Sequence, residues 1–301
     1  MIKFLTILWV GIWELVYGAG KLFSRRRRRN LKSRDSTPVL TGEQALLLQA
    51  ARRGDARAQY QLAVGYSEGK EVEQNYGEAA HWFGEAAKQG DPSALYSLGI
   101  CCANGQGVAQ DWDEAIKWFR LAAELGHLGA QVSLGVCLQK APGQGGAEEA
   151  VQWFRRAARH GDATAQVSLA SCLQSGIGTA QNQVEAVEWF RKAADQGVPE
   201  AQFNLGKCHQ EGQGVAADAV EAFKWFELAA KKGLPQAQHE LALCYHHGRG
   251  TAPDLREAFK WSQMAAAQAY PPAEVEKEEL EQALAEMENP DPPDSNPFDA
   301  P

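Results

Sequence analysis

Six of the nine tryptophans stand on one register: Trp82, Trp118, Trp153, Trp189, Trp225 and Trp261 are spaced 36, 35, 36, 36 and 36 residues apart. Few folds accommodate such a spacing. A period of this length marks one supersecondary unit repeated in tandem, and the copies must bury one another because none can bury both of its faces alone. Other positions keep step. Leu62, Leu98, Leu134, Leu169, Leu205 and Leu241 recur, as do Ala58, Ala94, Ala130, Ala165, Ala201 and Ala237, and Ala-Ala pairs run from Ala86-Ala87 to Ala265-Ala266. Each unit resolves into two helices. In Ala201–Gly212, Leu205, Gly206 and the residue four beyond Leu205 share one helical face, and Val184–Gly197 spaces its apolar residues by three and four. Gly-x-Gly breaks the chain between the helices, as at Gly105/Gly107, Gly176/Gly178, Gly212/Gly214 and Gly248/Gly250. A glycine three residues after most Ala-Ala pairs, from Gly90 to Gly233, suits a helix C-cap. The repeated alanines mark close helix crossings, and tryptophan is expected to fill the gap between units. The third unit is one residue short, with the loss in the turn Lys140–Gly145.

The pattern Ala-x-x-x-Leu-Gly, then Gly-x-Gly-Val, then Ala-x-x-Trp-[Tyr/Phe]-x-x-Ala-Ala-x-x-Gly is fullest in Ala201–Gly233, with Leu205-Gly206, Gly212-Gln213-Gly214-Val215, Trp225-Phe226 and Ala229-Ala230. It resembles the Sel-1-like repeat family, a relative of the tetratricopeptide repeats. The expected architecture is all-α: a right-handed α/α solenoid of about six 36-residue helix-turn-helix repeats over residues 56–270, preceded by an N-terminal hydrophobic helix. There are departures. The first-helix Tyr of the motif survives only at Tyr66 and Tyr245, and the last unit has Ser262 where others have Phe and Ala269 where others have Gly.

The flanks carry their own signals. Residues 1–24 include the apolar run Phe4 to Gly20 with one charge, Glu14. Its Leu, Ile, Val and Phe residues favour insertion by about 4 kcal/mol and the acid opposes it by about 2.5–3.5, so insertion is narrowly favoured. The basic linker 25–40 opens with Arg25–Arg29, and the positive-inside rule places everything after it in the cytoplasm of a single-pass membrane protein. A cleaved signal at Gly18-Ala19-Gly20, giving a secreted or periplasmic protein with ligand-binding or hydrolase-type activity, is the alternative, and an in-plane amphipathic helix a third. Residues 41–55, starting with the capping-box sequence Thr41-Gly42-Glu43-Gln44, read as an N-terminal capping helix. Residues 271–288 read as a C-terminal capping helix, with Pro271-Pro272 stopping the array, and 289–301 as a disordered, acidic, Pro-rich tail containing Asn296-Pro297-Phe298.

Charge excludes one class of partner. Residues 1–34 carry nine Lys/Arg and one acid, while the remainder carries 21 basic and 37 acidic groups. Such an acidic body does not bind nucleic acid, which needs clustered Lys and Arg. Catalytic motifs are lacking: no HExxH, P-loop or GxSxG is present. Ser67-Glu68-Gly69-Lys70 matches a Ser-x-x-Lys nucleophile pair, but it falls in an inter-helix turn without companion motifs and reads as chance. Cys101, Cys137, Cys172, Cys208 and Cys244 share one first-helix position, with Cys102 extra. They read as small buried thiols in a reducing compartment, since neighbouring helices stand about 8–10 Å apart and bridged Cα atoms lie within about 7 Å. Neither a metal site nor a cofactor is expected. Cys208-His209 and Cys244 near His246-His247 are the only hints of one.

What remains is a surface. By analogy with tetratricopeptide repeats, the first helices line a concave groove. Two residues before each repeated Leu stand Tyr60, Tyr96, Val132, Val167, Phe203 and His239, and two after it stand Val64, Ile100, Val136, Lys207 and Leu243 among others. This apolar stripe edged by amides suits an extended peptide or amphipathic helix of a partner protein. Packing between first helices would explain the same stripe. The resemblance implies scaffolding rather than catalysis. The reading is thus a membrane-tethered adaptor, attached through residues 1–24 and Arg25–Arg29.

Overall fold

The computed structural model describes residues 42–70, 72–140 and 146–288. Among them are fourteen helices and no strand. The chain divides into two compact units, residues 1–165 and 166–301. The first contains α1 (Gly42–Arg52), α2 (Ala56–Glu68), α3 (Tyr76–Ala87), α4 (Pro92–Asn104), α5 (Trp112–Glu124), α6 (Leu128–Lys140), α7 (Gly146–Arg159) and the start of α8 (Ala163–Ser175). The second contains the rest of α8, then α9 (Gln183–Asp195), α10 (Pro199–Glu211), α11 (Ala219–Lys231), α12 (Pro235–His247), α13 (Leu255–Ala266) and α14 (Pro271–Glu288). Even-numbered helices from α2 to α12 are the first helices of the repeats, and odd-numbered ones from α3 to α13 the second. In the first unit each helix from α1 to α6 packs on its successor, and in the second each does so from α9 to α13. The hydrophobic segment, the linker, the short turn of the third repeat and the tail lie outside the described residues.

Local chemistry sets the helix ends. Asp55, Asp91 and Asp162 each accept a hydrogen bond from the amide three residues on, at 2.7, 2.8 and 2.8 Å, and Asn75, Asp111, Asn182, Asp218 and Asp254 cap second helices likewise. Where Val198 and Leu234 replace the acid, Pro199 and Pro235 open the helix, at a position whose amide needs no partner. The inter-helix turns at Gly107, Gly214 and Gly250 close on the preceding repeat: a Cβ at Gly107, which has φ 77°, would fall on the carbonyl of Tyr76 at the start of α3.

Tryptophan packs between hairpins as expected, Trp82 against Ala51, Ala58 and Leu62 and Trp261 against the cluster of Ala222, Phe226 and Leu241, but it does not occupy the centre. The phenylalanine after it fills the interior: Phe119, Phe154, Phe190 and Phe226 are 0% exposed, whereas Trp118, Trp153, Trp225 and Trp261 are half-buried. An indole has an N–H that needs an outlet. Trp153 and Trp189 donate theirs to Glu149 and Glu185, four residues earlier, at 3.1 and 3.2 Å. The Leu-Gly pair of the first helix then has its reason. A Cβ at Gly99 would lie 2.6 Å from the Phe119 ring, and one at Gly206 the same distance from Phe226.

The terminal helices cover the repeats beside them. Helix α1 packs on α2, with Ala51 buried against Ala58 and Leu62. Helix α14 starts at Pro271 itself, so the two prolines end one element by opening the next. It buries Ala273 and Leu280. The odd residues of the last repeat fit this end. Ser262, fully buried where other repeats have Phe, donates to the Ala273 carbonyl of α14 at 2.9 Å. Ala269 takes the left-handed conformation, φ 57°, that Gly adopts elsewhere.

Candidate interaction surfaces on the first helices

The aromatic members of the predicted stripe are half-buried and rooted in the core of their own hairpins. Tyr60 meets Phe83 at a ring-centroid distance of 5.7 Å, Tyr96 meets Phe119 at 5.7 Å, and Phe203 meets Phe226 at 5.9 Å. The residue that starts the next first helix braces the other side: Tyr96 stacks on His127 at 4.5 Å, and His239 stands edge-on to Tyr270 at 5.6 Å. Burial lowers the pKa of His127 and of His239, where a charged imidazole would be poorly solvated. Val64, Ile100 and Leu243 are half-buried. Val132, Val136 and Val167 are buried. Val132 and Val167 hold the same register as tyrosine or phenylalanine elsewhere, but a short side chain there ends below the surface and offers a partner no contact area.

The two units differ in what surrounds these positions. In the first, α4 carries no charged residue at all. In the second, Lys207 is half-buried in a polar cluster: it donates to Gln210 at 2.7 Å and pairs with Glu211 at 3.1 Å and Glu240 at 3.4 Å, while Gln210 donates to Glu240 at 3.4 Å. His246 meets Glu276 of α14 at 2.7 Å. Lys207 is therefore matched by carboxylates and is not a lone cation for a carboxylate ligand.

A second polar register escaped the sequence reading. In α2, α6, α10 and α12 the glutamine after the repeated Ala is buried and clips its helix to the end of the helix before it. Gln59 donates to the Ala51 carbonyl at 3.0 Å, Gln131 to Ala123 at 3.2 Å, Gln202 to Ala194 at 3.2 Å and Gln238 to Ala230 at 3.3 Å. Another amide closes the clip from the far side, Gln89 to Gln59, Gln196 to Gln166 and Gln268 to Gln238, each at 2.8 Å. The recurring Ala-Gln dipeptide was the available signal.

Groups that could suggest chemistry are otherwise engaged. Ser67 donates its hydroxyl to the Val64 carbonyl at 2.9 Å, and Lys70 pairs with Glu68 at 2.7 Å. The Glu68 carboxylate raises the Lys70 pKa, which keeps it protonated and unfit as a base. All six cysteines are buried. Burial pushes the Cys101 thiol up to about 12 and those of Cys208 and Cys244 up to about 11, away from the thiolate that redox or metal chemistry requires. His209, beside Cys208, is buried, its pKa lowered by that burial and by Arg191. Among the described residues no three His, Cys, Asp or Glu side chains gather as a metal site.

Comparison with known proteins follows the same repeat. A protein-family model for the Sel1 repeat matches residues 56–91, 92–127, 129–162, 163–198, 199–234 and 235–270. Among solved structures, a Sel1 repeat protein from Oxalobacter formigenes is 32% identical, with a TM-score of 0.67 over 74% of this chain and 92% of that one. A protective antigen present in uropathogenic Escherichia coli strains, which displays an SLR fold, is 29% identical, with a TM-score of 0.74 over 82% of this chain. This chain spans about half of that antigen, 53% of its length. No curated protein matches.

Proposed function

The chain belongs to the Sel1 repeat family, and from that premise we propose that it is a non-catalytic adaptor whose first helices receive segments of partner proteins. Repeats of this family generally serve protein–protein interaction. The observation that carries the reading is the set of half-buried aromatic rings at Tyr60, Tyr96 and Phe203, each rooted on a core phenylalanine. A ring held from behind and open in front loses little side-chain freedom on binding, which is what an anchor for a peptide or helix needs. Among the described residues the serine, lysine and cysteines that could do chemistry are paired or buried, which supports the non-catalytic part.

The reading also tethers the repeats to a membrane through residues 4–20, with Arg25–Arg29 keeping them on the cytoplasmic side. Its support is the apolar run and the arginine cluster of the sequence. No helix among the described residues is long and apolar enough to cross a membrane. Tethering raises effective concentration, so modest affinity at each surface suffices.

The test is a pull-down of the full chain from detergent-solubilised native cells, with one variant per unit. Tyr60→Ala/Tyr96→Ala alters the first and Phe203→Ala/His239→Ala the second, each verified as folded by circular dichroism. Loss of the same partners that wild type retains is the expected result. Partners unchanged in both folded variants overturn the surface assignment. Alkaline extraction and mass spectrometry of the N-terminal peptide test the anchor: release from membranes, or a mature chain starting after Gly20, refutes it.

A further inference from the structure

We propose that the basic, apolar-edged face of α5 and α7 is a docking surface for helix α14 of a second copy of this chain. This is independent of the first-helix surfaces. In the first unit, Arg120 of α5 forks onto Glu149 of α7 and sets these second helices side by side. Their outward residues stand at matching positions on neighbouring second helices. Leu121 of α5 and its C-cap Leu125 are 45% and 56% exposed. At the matching repeat positions α7 presents Arg156 and His160, with Arg159 between them, all exposed. The Arg156 guanidinium lies 5.6 Å from the Trp153 ring centre, which holds its charge near the helix surface. A shallow depression of about 420 Å³ runs along Gln152, Arg156, Arg159 and His160. Glu124 is the one acid between the two leucines. The face is a basic island, since the 267 residues after position 34 hold 21 basic and 37 acidic groups.

Helix α14 is its complement. It holds seven glutamates and one lysine. Ala273 and Leu280 face inward and are buried, while Val275 is 60% exposed. Glu278, Glu279, Gln282 and Glu286 follow Val275 at spacings of three, four, seven and eleven, and all are exposed. An apolar residue beside a row of carboxylates thus faces two leucines beside a row of cations. Apolar contact with opposed charge around it is how modest interfaces gain both affinity and register. The two surfaces differ, so the contact is head to tail, and each copy keeps one of each kind available.

Sedimentation of the full chain in non-ionic detergent tests this across a concentration series at low and high salt. Wild type is expected to self-associate, and to do so more weakly at high salt. Arg156→Glu/Arg159→Glu and Glu278→Lys/Glu279→Lys should each weaken association about tenfold or more. A mixture of the two variants should associate in one-to-one proportion, because each still carries the half that the other has lost. A chain with all four substitutions should regain association. A wild type that stays monomeric overturns the proposal. So does association that survives the α14 reversals, which would assign the basic face to another acidic segment, or a mixture that does not associate.

Discussion

The first-helix surfaces of the two units share one backbone register and differ in chemistry. In the first unit Tyr60, Val64, Tyr96 and Ile100 lie on helices with few charges, and α4 has none. In the second, Phe203 and Leu243 share the face with Lys207, Glu211 and Glu240, and with the His246–Glu276 pair. The cores beneath them are alike: Phe119 and Phe226 are both fully buried, and Gly99 and Gly206 lie equally close to them. These two repeats therefore keep their interior and vary their outward positions, which changes the chemistry of the surface without any change of fold.

The strongest way to break this view is through the shared interior. Phe119→Ala and Phe226→Ala should each cost about 3–5 kcal/mol in denaturant unfolding, while Trp118→Ala and Trp225→Ala should cost about half as much because those rings are half-buried. Equal costs for tryptophan and phenylalanine would show that the cores are not built as described. Gly99→Val and Gly206→Val should each cost about 1–3 kcal/mol, since the added side chain must displace a buried ring.

Acid should separate the units. His209 and His239 in the second unit have pKa values lowered by burial, against His127 alone in the first. A histidine whose folded pKa lies below its unfolded one stabilises the fold fully above the unfolded value. It loses that contribution as pH falls through 6.5 toward the folded value. Hydrogen exchange between pH 7.5 and 5.5 should therefore show α10 and α12 losing more protection than α4 and α6. Equal losses would remove the distinction.

Two smaller changes sharpen the comparison at the helix ends. Ala269→Gly should stabilise α13 and α14 by about 0.5–1 kcal/mol, because the left-handed conformation penalises a Cβ. His160→Gln should add about 0.5 kcal/mol in the first unit. It puts an amide at the position from which Gln89, Gln196 and Gln268 donate, facing the Gln131 oxygen, which has no partner among the described residues. Thermal unfolding of each variant checks the sign.

Much of this fold can be read along the chain because a repeat states its own period. Six tryptophans, six leucines and the Ala-Ala pairs imply six hairpins, and the glycines mark where they turn. The same regularity does not rank depth where two adjacent residues both recur. Trp and Phe share the period, and only packing shows which one points inward. The glutamine clip recurs as Ala-Gln, but its acceptor is a carbonyl eight residues upstream on another helix, so its role shows only in the fold. Ser262 looked like a flaw in the last repeat until α14 supplied the Ala273 carbonyl. The matching of Lys207 by Glu240 was equally hidden, since the two lie 33 residues apart on successive first helices.

Period, helix boundaries, repeat count and family thus follow from residue types and spacings, since propensity, capping and apolar periodicity are local properties of a chain. Depth, pairing and exposure do not. Phe119 rather than Trp118 lies at the centre, Val132 ends below the surface where Tyr96 reaches it, and Lys207 is neutralised from the next repeat. Each of these depends on which side chains meet across helices, and close packing settles that only when the whole hairpin is assembled.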